Sequence, residues 1–315
     1  MSTGITAQLG VASETTYGQA VTVTRFYPLV SESVTQEIER LESEGIITGA
    51  RVLRSNQWGA GRVSVSGDLQ LELLQQNAAV LFENMLGSIT HSFAAGVGTH
   101  TATPGTLTGK SMTVQIGRPG TAGTTHPFTY AGVKVASWEL AVVEGQIATL
   151  GLSILGQTET DQIALASASF GTDAAKPFTY MHGAVTISSS TVCVRELTVS
   201  GNNQLSTDRR CIGQSYVDQP LEMALREYTG TAVLEFTNLT QYERFVDATE
   251  CPLVLTMSAS STAQCVATMN VRFDGVTPNV GDRDIIVLSM PFKAVAASTD
   301  SGAISFTLKN TQSEL

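Results

Sequence analysis

The chain has 315 residues, enough for two ordinary domains that each bury a core. Aromatic residues are sparse at 6% and charged residues low at 15%, while Gly, Ser, Thr, Val and Ala dominate, which excludes a coiled coil or a disordered chain and favours strands joined by many turns. A net charge of −10, with a pI near 4.9, excludes ordinary nucleic-acid binding, because a protein that grips phosphates needs Lys and Arg to displace their counterions.

In chain order, residues 1–20 are polar without periodicity and read as an extended arm. Met1–Thr15 has neither a basic run nor an apolar stretch, so no export signal is expected. A strand follows around Val21–Val30. Residues 34–61 are charged, end in glycines and carry Trp58; they read as a long projecting hairpin. Arg62–Leu73 alternates Val63, Val65, Gly67, Leu69, Leu71 and Leu73 on one face, the period of a half-buried antiparallel strand. Asn77–Leu86 reads as a short amphipathic helix closed by Gly87.

Residues 88–109, rich in Gly, Thr and Ala, read as a loop. Strands are then expected at Lys110–Gly117, Phe128–Tyr130, Val133–Glu144 and Gln146–Leu155, the last two joined by a tight turn at Glu144-Gly145-Gln146. Small polar residues at 161–177 suggest a linker. Beyond it come strands at Phe178–Val199 and Tyr228–Phe236, then a helix with Leu239, Tyr242, Phe245 and Val246 on one side. Further strands follow at Pro252–Met257, Gln264–Phe273, Ile285–Val295 and Ala303–Leu308. No run of apolar residues is long enough to span a bilayer.

The most informative pattern is a diverged duplication. VSGDLQLELLQQNAAVLFENML (65–86) aligns without gaps on YTGTAVLEFTNLTQYERFVDAT (228–249). Gly67 falls on Gly230, Leu71 on Leu234, Glu72 on Glu235 and Phe82 on Phe245. Each copy is an alternating strand that runs straight into a helix. A repeated unit suits a structural protein better than an active site.

Catalytic signatures are missing. His91, His100, His126 and His182 are scattered without metal-ligand spacing, and no Gly-x-Ser-x-Gly elbow occurs. GRPGTAG (117–123) lies between strands and lacks the Gly-Lys-Ser/Thr of a phosphate loop, so it reads as a turn. Asn238 fits a glycosylation sequon but sits where a helix cap is needed. Cys193, Cys211, Cys251 and Cys265 have no Cys-x-x-Cys spacing and are expected to be reduced. Neither an enzyme nor a cofactor or metal is expected.

Taken in order, TTYGQAVTVTRFYPLVSES (15–33), VSGDLQLEL (65–73), VRELTVSGNNQL (194–205), REYTGTAVLEFTNLTQYERFV (226–246), IIVLSMPFKAV (285–295) and ISFTLKN (304–310) resemble the tail tube proteins of long, flexible-tailed phages. The resemblance implies a mainly β chain of two tandem tail-tube domains, each two packed antiparallel sheets forming a partial barrel with one flanking α-helix. Their expected bounds are 1–160, including the N-terminal arm, and 178–315, joined by the linker 161–177. It further implies a structural virion protein, assembled in the host cytoplasm, that stacks as rings into the conduit for genomic DNA. Implied partners are further copies of itself, with a trimer of two-domain chains favoured over a hexamer, the tape-measure, tail-tip and tail-terminator proteins, and DNA that passes without tight binding. No membrane is involved.

Contacts between stacked rings are expected on the projecting segments 36–60 and 203–226, with Trp58 as anchor and Arg209 and Arg210 facing Glu37, Glu39, Glu42 or Glu44. Asp68, Glu72, Glu139 and Glu235 are candidates for the lumen, where negative charge would repel DNA. The alternative from another class is a β-sandwich binding or decoration module of a virus particle that recognises a carbohydrate or receptor. Such a module should cluster aromatics at loop tips, and the two Trp residues lie far apart in the sequence.

Overall fold

The computed structural model describes residues 3–170, 175–275, 277 and 285–314. The first half holds β1 (Gln8–Ser13), β2 (Arg25–Tyr27), β3 (Leu29–Glu32), β4 (Thr35–Glu42), β5 (Trp58–Glu72), α1 (Ala78–Leu86), β6 (Gly87–Ala94), β7 (Val97–Pro104), β8 (Met112–Pro119), β9 (Thr125–Val143), β10 (Thr149–Gly156) and β11 (Thr158–Thr160). The second half holds β12 (Gly183–Ile187), β13 (Ser190–Val192), β14 (Val194–Asn202), β15 (Glu227–Glu235), α2 (Thr240–Val246), β16 (Cys251–Ser260), β17 (Ala263–Phe273), β18 (Val287–Ala294) and β19 (Ile304–Asn310). All pairings between these strands are antiparallel, and the protein is mainly β.

One long sheet runs through both halves in the order β3 and β4, β5, β10, β9, β14, β15, β18. Between its β-bulges the strands alternate, so Val65, Leu69, Leu71, Leu150, Leu152, Val199, Leu234 and Met290 point into the core while polar neighbours point away. Behind it lie β2–β1–β8–β9 with β11, and β13–β12–β16–β17–β19–β7–β6. The long strand β9 belongs to both layers. Its first part pairs with β8 and β11, its second with β10 and β14, and Gly132 (φ +66°) sits at the change of course.

The duplication seen in the sequence extends to the strand order. β1, β2, β4, β5, α1, β8, β9, β10 and β11 correspond in pairing to β12, β13, β14, β15, α2, β16, β17, β18 and β19. The register agrees to the atom at the paired glycines. A Cβ on Gly67 would stand 2.6 Å from Ser33 O, and one on Gly230 would stand 2.2 Å from Thr198 O, so Ser33 and Thr198 occupy equivalent places on the preceding strand. β3 and β4 together match the single strand β14, and the β6–β7 hairpin has no counterpart among the described residues.

The halves meet where β14 pairs with β9 from Glu196↔Val143 to Asn202↔Ser137. Trp138 on β9 lies over Gly201 on β14, where any Cβ would come within 2.3 Å of the indole. On the far side β19 pairs with β7, and Phe306 stacks on Phe82 with ring centroids 4.8 Å apart. One apolar cluster therefore runs through both halves.

Several expectations need correction. The supposed N-terminal arm contains β1, whose Leu9 and Val11 are fully buried and which is paired on both edges. Most of the expected loop 88–109 is the β6–β7 hairpin, which ends at Pro104; Ala95 and Gly96 both take positive φ, as a two-residue hairpin turn requires. Phe178–Val199 is broken twice, between β12 and β13 by a second such turn at Ser188 and Ser189 and between β13 and β14 at Cys193. The described part of 161–177 has no helix or strand, but it is fixed to the first half. Gln115 Oε1 accepts from Ala166 N–H at 2.8 Å, and Gln75 N–H donates to Lys176 O at 2.9 Å. Residues 171–174 of that segment lie outside the described residues. The N-cap of the second helix is Leu239 rather than Asn238, and Asn238 Oδ1 accepts from Thr240 N–H at 3.0 Å just ahead of it. All four cysteines are free; Cys251 and Cys265 are buried, and burial pushes the Cys265 thiol up to about 12.

Candidate functional site: a concave acidic sheet face

The side of the long sheet that faces away from the core is concave, enclosing about 520 Å³ between β5, β9, β10, β14 and β15. Strand register lays its side chains out in rows. One row runs Asp68, Ser153, Ser137, Asn202, Glu227. The next runs Gln70, Gly151, Glu139, Ser200, Thr229, Lys293, and a third Glu72, Thr149, Ala141, Thr198, Thr231, Pro291. Small residues, mostly Ser and Thr, fill most of the places between the charged side chains. Asp68, Glu72, Glu139 and Glu235, expected in the sequence as one functional group, all lie on this face.

The structure adds Glu196 and Glu227 to them, with Arg195 and Lys293 as the cations. Arg195 Nη2 pairs with Glu235 at 2.9 Å, and Lys293 Nζ with Glu227 at 3.1 Å. Ser200 Oγ donates to Glu139 at 3.2 Å. Asp68, Glu72, Glu139, Glu196, Glu227 and Glu235 outnumber Arg195 and Lys293, so this group of side chains is net negative. Period-two alternation in β14, where Glu196, Thr198 and Ser200 share a side, is the signal that would have found Glu196 earlier.

Beyond one end of this sheet β4 and β5 continue as a hairpin whose tip spans residues 43–57. It exposes Leu41, Ile46, Val52 and Leu53, together with Trp58, which is 52% exposed with the Arg40 guanidinium 5.8 Å from its ring. Glu37, Glu42 and Glu44 are exposed on the same arm, and Glu39 pairs with Arg62 at 3.7 Å. The counterpart segment 203–226 is not a strand hairpin. Its ends are tied down, since Asn203 Nδ2 donates to Met85 O and Arg226 Nη1 to Leu86 O at the end of α1. Arg209 donates to Gln219 O, and Arg210 Nη2 to Val63 O at 2.9 Å, so both guanidiniums are engaged within their own chain.

Two buried charges brace the frame. The carboxylate of Glu14 accepts from Thr113 Oγ1 and Gly132 N–H on one oxygen and from Ser111 Oγ and Gly18 N–H on the other, all at 2.7–2.9 Å. Lys134 Nζ donates to Leu107 O at 2.6 Å and Pro220 O at 3.3 Å, which joins the two halves. Burial pulls its ammonium down to about 8.

A two-layer β shell with a repeated strand–helix unit, open sheet edges and an acidic concavity defines a structural shell protein. A family model for phage tail tube proteins matches residues 4–294, nearly the whole chain, and the chain belongs to that family. No curated protein matches it.

Proposed function

We infer that this tail tube protein polymerises as stacked rings of three chains, with the concave acidic face turned to the lumen through which genomic DNA is ejected. The observation that carries this reading is the repeat in strand order: one chain supplies two equivalent wall segments, 1–160 and 178–315, already joined edge to edge by β9 and β14. Three such chains give six segments around the channel, and closure removes the open edges that would otherwise invite irregular pairing. The linker 161–177 carries the chain from one segment to the next.

An acidic wall repels a duplex that carries one charge per ~1.7 Å of axis. Hydroxyl rows between the carboxylates offer no cationic grip, so DNA slides without being held. The β4–β5 hairpin, with Trp58 as its anchor, reaches the next ring. The finished tube would meet tape-measure, tip and terminator proteins in the virion tail. Its work is mechanical and needs neither catalysis nor a cofactor.

Negative-stain electron microscopy of the purified chain at rising concentration tests this. Tubes of uniform width with a stained channel and threefold end-on views are expected. Particles that remain single chains at every concentration, even with a tail-tip fraction added as initiator, would refute it.

A further inference from the structure

The β6–β7 hairpin, which the repeat does not explain, brings together two side chains that stand nine positions apart in the chain. His91 on β6 and His100 on β7 are direct cross-strand partners, so both side chains stand on one face of the hairpin. Their Nδ1 atoms are 3.1 Å apart and their ring centroids 4.6 Å. His100 is buried, whereas His91 is exposed. Along the sequence the histidines lack ligand spacing; strand pairing supplies the juxtaposition instead.

The partners of His100 fix where its hydrogen lies. Its Nε2 is 3.1 Å from Asn310 Oδ1 and also meets the backbone of Gln312. Asn310 is held in that orientation, because Oδ1 accepts from Gln312 N–H at 3.0 Å and Nδ2 donates to Gln312 Oε1 at 2.9 Å. Facing acceptors, Nε2 carries the hydrogen, and Nδ1 of the neutral ring turns a bare lone pair toward His91. An oxygen acceptor on the far ring nitrogen is also what orients most metal-ligating histidines. Gly98 leaves room for this arrangement: a Cβ there would strike Gln312 O and stand 3.0 Å from His100 Nε2.

We propose that His91 and His100 form a two-imidazole site for a divalent transition-metal ion, with Zn²⁺ as its probe, bound through both Nδ1 atoms. Imidazole nitrogen suits such ions, whereas Mg²⁺ and Ca²⁺ take oxygen ligands. Two zinc–nitrogen bonds of about 2.05 Å to atoms 3.1 Å apart enclose an angle of about 100° at the metal, close to the tetrahedral value. His91 frees its Nδ1 by carrying its hydrogen on Nε2, so both rings stay neutral and no net proton is released. Among the described residues no third His, Cys, Asp or Glu joins the pair, and water completes the shell. Arg25 is the charge that opposes an ion here. The ion locks β6 to β7 and, through Asn310, ties both to β19 in the other half of the chain. Bound metal therefore stiffens the second junction between the halves, a role independent of how chains assemble.

The test uses the full chain without a polyhistidine tag, at concentrations where it stays single. Isothermal titration with zinc sulfate should show a saturable site that magnesium does not fill, and zinc should raise the Tm, since an ion held only by the folded chain stabilises it. His91→Ala removes an exposed ligand; it should melt as wild type does without metal, bind zinc at least tenfold more weakly and lose the rise in Tm. His126→Gln with His182→Gln leaves the pair intact and should bind as wild type does. Proton–nitrogen correlation spectra of the wild-type imidazoles should show zinc moving the Nδ1 signals of His91 and His100 while His100 Nε2 stays protonated. Absence of a saturable site up to about 1 mM zinc overturns the proposal. So does equal affinity in His91→Ala, or binding lost only with His126 and His182. Should His91→Ala fail to fold, unmoved Nδ1 signals in the zinc-saturated wild type overturn it instead.

Discussion

The paired glycines provide the sharpest test of the repeat, and Gly230→Ala is the sharper of the two. Its new methyl would stand 2.2 Å from Thr198 O and 2.4 Å from Phe292 Cζ, inside contact distance of both. The oxygen cannot retreat, because β14 is paired with β15 on one edge and β9 on the other. The ring cannot retreat easily either, since Phe292 is buried and packs edge-on against Phe273. Overpacking of this kind costs about 1–3 kcal/mol, and a clash with fixed backbone belongs at the upper end. Against it stands a gain of about 0.4–1 kcal/mol from the stiffer unfolded chain. The net loss of about 2 kcal/mol corresponds to a fall in Tm of roughly 3 °C for a chain of 315 residues.

Differential scanning calorimetry of Gly230→Ala and Gly67→Ala should show both lowered, since the Gly67 methyl would meet Val34 Cα at 2.5 Å and Ser33 O at 2.6 Å. Gly59→Ala is the control: nothing lies within 4 Å of its added carbon, and its Tm should stay within about 1 °C of wild type. A Gly230→Ala protein that melts with the control would refute the argument that close strand approach fixed these two positions.

Glu14→Gln puts an amide N–H toward donors that now point at a carboxylate, and should cost about 2 kcal/mol in urea unfolding; an unchanged midpoint would show the four hydrogen bonds to be idle. The Lys134 ammonium titrates near 8 in the folded chain against 10.5 when free. Between these values the unfolded chain holds a proton that the folded chain has released, so this group adds stability as pH rises from about 8. Cys251 and Cys265, pushed up by burial, act in the opposite sense above their ordinary range. The signal is therefore the difference between wild type and Lys134→Met from pH 7.5 to 9.5, which should shift in favour of wild type as pH rises; a flat difference rules it out. On the concave face, Asp68→Lys with Glu72→Lys and Glu139→Lys should leave tubes intact and make them retain short duplex DNA at 50 mM salt but release it at 200 mM. Tubes that ignore DNA in both forms would remove these carboxylates from the lumen.

How far the sequence could be read depended on whether local pattern or distant pairing decided the element. β5 and β15 were legible because each alternates apolar and polar residues over its core-facing length, and α1 because Gly87 stops it. β1 was not, since Gln8-Leu9-Gly10-Val11-Ala12 offers too few large apolar groups to signal burial between two neighbours. β7 was hidden for a different reason. Its Gly, Thr and His residues have weak preferences, and its outer partner β19 lies some two hundred residues away, so tertiary pairing makes it a strand. Alternation placed Asp68, Glu72, Glu139 and Glu235 away from the core. That they share one concave face with Glu196 follows only from the order of the strands, which no local pattern encodes.

The repeat is also unequal in a way that bears on stacking. The first copy sends β4 and β5 beyond the sheet as a hairpin with an apolar tip. The second replaces it with a segment pinned at Asn203 and Arg226 and pressed against the first copy, where Ser215 O accepts from Val63 N–H at 2.9 Å. In that position the segment props the base of the hairpin rather than projecting beside it. Had both copies kept hairpins, neighbouring arms would compete for the same space at the rim. In the proposed ring of three chains, three braced arms would stand at one end, one for every second wall segment. On that proposal, duplication followed by divergence would turn six similar positions into three that reach and three that support.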